Sequence, residues 1–409
     1  MKQNAYKSYQ RIQIKKEVEH SKFKEWYCEM VNHFNGLVFI RNFKIIFCYG
    51  KEIELIFDDG KILRKSVDQV DLIYKDQQKY QINEGLMSIE FVKNFQWQGR
   101  FGENEQKIGN WNAFWKGESL QYVGGLYCIR GKKQNKWVEL IKNSRNQGYQ
   151  VGRYQNDMKI GKWEYIYKDI QIGGGNYNGF GIKNGKWIEL SENFQLSSQV
   201  IYIGDLRNGK KSGQWDIYYK KPNEFSHYEL IGGGVYDVKN QKNGLWIELS
   251  EGFYSESQVI YKGQYKNGKK VGKWDIFYQK FESKRTDELI GGGIYSQQNQ
   301  KDGKWLEESH SFFSNSQVIY RGQYDQGNKI GRWIIEQRLD ENKPFKQIGG
   351  GSYDKENHKT GAWIELKDEF NNDSSVTYYG EYLNDKKIGK WEIFAWHQQM
   401  YQIYNYELT

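Results

Sequence analysis

Tyr261-Lys262-Gly263-Gln264-Tyr265-Lys266-Asn267-Gly268-Lys269-Lys270-Val271-Gly272-Lys273-Trp274-Asp275-Ile276-Phe277-Tyr278 is one copy of a phrase that returns along this 409-residue chain. Apolar or glycine residues alternate with polar ones in both arms. Tyr261, Gly263 and Tyr265 share one face of an extended strand, and Gly272, Trp274, Ile276 and Tyr278 share one face of the next. That is the period of two of a half-buried strand. Asn267-Gly268 separates the arms, and Asn-Gly supplies the two positive φ angles of a type I′ hairpin turn. A turn there predicts Gly263 opposite Gly272 and Tyr261 opposite Trp274. The bare glycine backbone would then be a floor for aromatic rings.

Copies begin near Tyr149, Tyr202, Tyr320 and Tyr378, with a divergent one at Trp97. Between them runs a second phrase, Gly291-Gly292-Gly293-Ile294-Tyr295, a polar loop and then Gly303-Lys304-Trp305. It repeats at Gly173–Gly175, Gly232–Gly234 and Gly349–Gly351, and more weakly at Gly124-Gly125. Its register predicts Gly291 opposite Trp305. Trp111, Trp137, Trp163, Trp187, Trp215, Trp246, Trp274, Trp305, Trp333, Trp363 and Trp391 are spaced by 24 to 31 residues, and from Trp187 every second one recurs after 58 or 59. A fixed period of this size is the signature of a repeat array.

The phrase resembles the membrane occupation and recognition nexus (MORN) repeat, an aromatic-x-Gly-x-aromatic strand, a polar turn and a second strand opening on Gly-x-aromatic. Tyr202 with Gly204, Tyr261 with Gly263, Tyr320 with Gly322, and Gly380 with Tyr382 carry the match. Gly-Lys-Trp replaces the usual Gly-x-Gly, as in antitoxin-type members and in long arrays of ciliated protists. The resemblance implies a scaffold or attachment module without catalytic residues. The expected fold is an elongated, all-β antiparallel meander of about eleven hairpins over residues 97–396. A small α+β cap is expected over 1–96, and a C-terminal strand or tail over 397–409.

Bulk properties agree with a sheet-rich array. Aromatic residues make up 17%, with 44 Gly and 2 Pro, which makes disorder unfavourable. Cys28, Cys48 and Cys128 show neither metal spacing nor a framework of pairs and fit a reducing compartment. Met1 to Arg11 lacks the apolar core of a signal peptide, and no stretch approaches the ~20 apolar residues of a membrane span. Net charge is +9, of which residues 1–96 contribute +3 (16 Lys+Arg against 13 Asp+Glu). The excess is mild and distributed.

In the N-terminal segment, Ile14, Val18, Phe23, Trp26, Tyr27, Met30, Val31 and Phe34 recur at helical spacing and predict an amphipathic helix over 12–34. Phe43–Tyr49 and Glu52–Phe57 read as strands, and 66–94 as a return to helix. The segment is expected to cover the first edge of the sheet.

No catalytic residue, metal site or cofactor is predicted. The six histidines are scattered, and the glycine triplets lead into hairpin turns and so lack the helix N-terminus a phosphate loop needs. Two recurrent polar positions are candidate interaction residues. One is a carboxylate two residues after alternate tryptophans: Glu139, Glu189, Glu248, Glu307 and Glu365. Ile217, Ile276, Ile335 and Ile393 hold that place in the other halves. Alternation puts the glutamates on the tryptophan face, where an unpaired charge is prohibitive. The other is a row of turn lysines, Lys210, Lys211, Lys269, Lys270, Lys386 and Lys387, with Lys159 and Lys329 at matching places. Phe194, Phe253, Phe312 and Phe370 recur in the long polar loops and are expected to fold back over the aromatic face.

The expected function is a non-catalytic cytoplasmic scaffold for protein partners, with cytoskeleton, cilium or cell cortex as the setting the resemblance implies. Binding of anionic lipid through the turn lysines and antitoxin-like regulation of a partner protein are the alternatives. Nucleic acid is not expected, because the aromatics are used as core and do not lie on a basic face.

Overall fold

A computed structural model describes the backbone of seven strands between residues 8 and 82, and residues 95–394 with their side chains. Excepted are connections at 142–147, 223–226, 280–285, 310–311, 340–342, 368–369 and 371–374 and a few single residues; the backbone of 398–406 follows. The chain divides into two units, residues 1–184 and 185–409. All the described regular structure is antiparallel β, and within each of its sheets strands adjacent in sequence pair with one another.

The first unit begins with β1 (Ser8–Glu19), β2 (Phe23–Phe34), β3 (Leu37–Cys48), β4 (Glu52–Phe57) and β5 (Ile62–Ser66), which form a five-stranded sheet in that order. Residues 12–19 and 23–34 are thus strands, contrary to the expected helix. Ile12 faces Met30 and Ile14 faces Cys28 across the pair. The apolar set that reads at helical spacing also contains the period-two series Trp26, Cys28, Met30, and periodicity alone cannot separate the two. The expected strands at 43–49 and 52–57 correspond to β3 and β4, paired through Phe43 and Phe57. Where a helix was expected over 66–94, β6 (Leu72–Asp76) and β7 (Lys79–Ile82) form a hairpin instead, and 83–94 lie outside the described residues. The unit then runs from β8 (Phe95–Phe101) to β14 (Ile170–Tyr177) as a meander.

The second unit begins within β15 (Lys183–Leu190) and continues as a meander to β30 (Gln398–Tyr406). Its repeat is carried by β16 (Gln199–Arg207), β17 (Lys210–Lys220), β18 (Glu229–Tyr236) and β19 (Lys242–Leu249), then by β20 (Val259–Lys266), β21 (Lys269–Phe281), β22 (Arg285–Tyr295) and β23 (Lys301–Glu308). Asn267 and Gly268 adopt φ of 51° and 75°, as a type I′ turn requires, and Lys266 pairs with Lys269 across it.

Beyond the turn the registers differ from the simple expectation. Gly272 adopts φ +66° and the strand bulges there, so that Lys262 pairs with Asp275 and Tyr261 with Ile276. Residues on a bulged strand oppose fewer residues on the partner, and a left-handed residue opens the bulge. Tyr261 therefore does not face Trp274. The indole lies on Gly263 instead, where a Cβ would come within 2.3 Å of the ring. The same bulge in the triple-glycine hairpins puts Trp305 on Gly293, not on Gly291.

The triplet has three separate reasons. A Cβ on Gly293 would enter the Trp305 ring at 2.2 Å. Gly292 has φ +134° and presses on the Trp274 carbonyl, and a Cβ on Gly291 would meet the Leu306 carbonyl at 2.5 Å.

Beside the tryptophans, the same face carries an aliphatic half. Phe194, Phe253, Phe312 and Phe370 are all buried. Phe253 packs among Val200, Ile217, Tyr219, Ile231 and Ile260, and Phe312 among Val259, Ile276, Tyr278, Ile290 and Ile319. The long loops fold back as expected, but their rings cover this aliphatic half. The loops are tied in series: Ser198 Oγ donates to the Phe253 carbonyl and Ser316 Oγ to that of Phe370, each at 2.9 Å.

Candidate interaction surface

The tryptophan face is a ladder of rings. In the second unit Trp246, Tyr265, Trp274, Tyr295, Trp305 and Tyr324 follow one another edge to face, with centroids 5.0–6.1 Å apart. The series continues through Trp333, Trp363 and Trp391, and Trp215 joins it through Tyr236. In the first unit Phe101, Trp111, Tyr127, Trp137, Tyr154, Trp163 and Tyr177 form the same ladder. Each glycine beneath a ring is what admits it: Gly204 under Trp215, Gly322 under Trp333 and Gly380 under Trp391 repeat the Gly263 arrangement. Trp187 is buried like the others and lies opposite Gly204 on its other side. Indole N–H groups donate to backbone carbonyls, Trp274 to Gln264 at 3.2 Å and Trp363 to Ser352 at 3.2 Å among them.

The two candidate polar sets meet over this ladder. The second lysine of each doublet folds onto the indole four residues on. Lys211 Nζ lies 4.2 Å from the Trp215 ring centre, Lys270 4.0 Å from Trp274, and Lys387 4.0 Å from Trp391. Lys159 and Lys329 do the same over Trp163 and Trp333, at 4.1 Å each. A partly desolvated ammonium over an indole contributes roughly 0.5–2 kcal/mol. The first lysine of each doublet, Lys210, Lys269 and Lys386, stays exposed. The expected single row is therefore two rows with different surroundings.

The glutamates lie between lysines. Glu248 is bridged by Lys242 and by Lys270 at 3.0 Å, and Tyr265 donates its hydroxyl to it at 2.9 Å. Lys301, Lys329 and Tyr324 hold Glu307 in the same way, and Lys359, Lys387 and Tyr382 hold Glu365. In the first unit Lys133, Lys159 and Tyr154 hold Glu139. Glu189 pairs with Lys211 at 3.6 Å. Burial pushes the carboxyls of Glu139, Glu248, Glu307 and Glu365 up, but the paired ammonium groups outweigh it and hold them below the ordinary value. Burial drives the Tyr265, Tyr324 and Tyr382 hydroxyls up, and the neighbouring carboxylate adds to it. Burial also pulls Lys159 down to about 8.

Sequence reading missed Lys242, Lys301 and Lys359, and the tyrosines that complete each cage. The signal was there: a lysine stands four residues before every one of the eleven tryptophans in register.

One repeat departs from the plan. Glu308 stands where Leu249 and Leu366 stand in the neighbouring repeats, and it accepts a hydrogen bond from Tyr261. Burial raises its carboxyl. Nearby, the buried Arg338 guanidinium is bidentate to Glu288 at 2.6 and 2.8 Å and stacks on Phe345.

Among the described residues, no group of His, Cys, Asp and Glu is arranged to hold a metal ion, and no helix is long and apolar enough to cross a membrane. No protein-family model matches the chain, and no curated protein matches it.

Proposed function

We propose that this protein is a non-catalytic scaffold of the MORN kind that attaches to protein partners through surfaces other than its tryptophan face. The N-terminal strands serve as its cap, and its setting is the cytoplasm at the cytoskeleton, cilium or cell cortex. The observation that carries the reading is the way recurrent charge is used. On the tryptophan face Glu139, Glu248, Glu307 and Glu365 are each bonded to two recurrent lysines and a tyrosine, and Glu189 to Lys211, so that lattice serves the fold. What the surface offers a partner lies at the hairpin tips. In the first unit, Ile129 is 82% and Phe180 81% exposed in two such tips. Of the equivalent tips in the second unit, one carries Val238, 95% exposed, and two carry Gln297, Gln298, Lys355 and Glu356. We place partner contact at these tips, where an exposed apolar side chain gains burial on binding.

The test is proximity labelling in the native cell with the wild-type chain and an Ile129→Asp/Phe180→Asp variant. Loss of a defined set of neighbours supports the reading; an unchanged set rejects it. A second reading, attachment to an anionic lipid surface, is favoured by the exposure of Lys210, Lys269 and Lys386 in line along one edge. It predicts salt-sensitive flotation with anionic vesicles that Lys210→Glu/Lys269→Glu/Lys386→Glu abolishes.

A further inference from the structure

On the face opposite the tryptophans, one unbroken row of cross-strand neighbours runs across the second unit. Its centre reads Gly233, Ile247, Lys262, Asp275, Gly292, Leu306, one residue from each of β18 to β23. It consists of gaps, aliphatic groups, a cation and an anion. The gap is physical: a hollow over Gly292 is lined by Leu289, Ile294, Leu306 and Lys273. Leu289 is 57% and Ile294 54% exposed at its rim. Lys262 is exposed and has no ion-pair partner among the described residues, while Asp275 is ion-paired to Lys273 of its own chain at 3.0 Å.

From this row we infer that the outer face docks a second copy of the same chain. A two-fold axis in the interface, parallel to the strands and passing between Lys262 and Asp275, reverses the strand order of the copy. Lys262 then faces the copy's Asp275, Ile247 faces the Gly292 gap, and Leu306 faces the Gly233 gap; the symmetry repeats each contact. Moving outward, the registers continue to Asp216 and Ile203 on one side and to Arg321 and Ile334 on the other. The same axis sets Asp216 against Arg321 and Ile203 against Ile334. One more step sets Ile188 against the gap at Gly350. Along this row each cation meets an anion of the copy, in addition to the pairs Lys273–Asp275 and Arg321–Glu336 that each chain makes within itself, and every gap meets an aliphatic side chain. An isologous interface has to be self-complementary in this way, and like charges brought face to face would oppose it. Sheets pack face to face at about 10 Å, a separation that side chains of this size fill. The inference goes beyond the attachment reading, since it uses neither the tips nor the exposed turn lysines.

Sedimentation of the full chain over a concentration series tests it, with thermal melts showing that each variant is folded. Wild type is expected to dimerise. Lys262→Asp sets two carboxylates against each other at both symmetric contacts, and Asp275→Lys sets two ammonium groups. Each is expected to weaken dimerisation about tenfold or more. Mixing the two variants restores opposite charges at both contacts and is expected to restore the dimer. In mixed light- and heavy-isotope wild-type chains, a zero-length crosslink should join Lys262 of one isotope form to Asp275 of the other. A wild-type chain that stays monomeric overturns the proposal. So do charge variants that dimerise like wild type, a mixture that does not recover, or crosslinks found only within one isotope form.

Discussion

The two faces of the second unit's sheet are made by the same strands and obey the same 58- or 59-residue period, yet they treat their charges differently. On the tryptophan face, Glu248 meets two lysines and a tyrosine, and Lys270 is both ion-paired and seated on an indole. On the opposite face the ion pairs are more exposed, Lys273 with Asp275 and Arg321 with Glu336, and Lys262 stands exposed beside a glycine-floored hollow. Periodicity in sequence is thus a statement about architecture. What a recurrent residue does depends on whether its face satisfies it. Lys269 and Lys270 are adjacent and chemically identical, and the pleat sends them to different surroundings.

Removing a ring from the tryptophan face should have the largest effect. Trp274 is 1% exposed, so Trp274→Ala is expected to destabilise by roughly 3–5 kcal/mol. In a repeat array the damage is local. Hydrogen exchange should therefore accelerate in the hairpins next to β21 and not evenly along the chain. Filling the floor comes next. Gly263→Ala inserts a methyl 2.3 Å from the Trp274 ring, and overpacking of this kind is expected to cost about 1–3 kcal/mol in urea unfolding. An alanine that left stability unchanged would mean that the indole does not rest on the glycine.

Acid should loosen the same face. Glu139, Glu248, Glu307 and Glu365 are held below their ordinary value of 4.5. Their contribution is complete above that value and is lost as pH falls through the lower folded values. Glu308, raised by burial, has the opposite sign, because its protonation favours the folded state. Four against one, the melting temperature should fall on acidification, and in Glu248→Gln the fall should be shallower. A melting temperature that is flat with pH would show that the cages do not hold in solution.

Much of the fold was legible because its signals are local. The Trp period fixes the array, Asn267-Gly268 fixes the turn, and alternation fixes which side chains share a face. The register past the turn was not legible. It depends on Gly272 taking a left-handed conformation, and a glycine in a strand does not announce whether it bulges. The N-terminal strands were missed because Trp26, Tyr27, Met30 and Val31 fit a helical stripe as well as a pleat. For the candidate residues, the sequence placed the glutamates on the tryptophan face but not their partners. Lysines six residues before each of them come from across a bulge, and tyrosines from the next strand. The splitting of each doublet follows from alternation, yet both lysines read as turn residues until the turn is closed.

The most direct test of a self-satisfied tryptophan face is to reverse the two lysines of one doublet separately and compare urea unfolding. Lys270→Glu sets a carboxylate against Glu248 and over the Trp274 ring. Breaking a largely buried pair costs 3–5 kcal/mol, and partial exposure reduces that here to about 2 kcal/mol. Lys269→Glu changes an exposed turn residue, and its effect is expected to stay within about 0.5 kcal/mol. A midpoint lowered only by Lys270→Glu is the predicted result. Equal midpoints for the two variants would contradict the account.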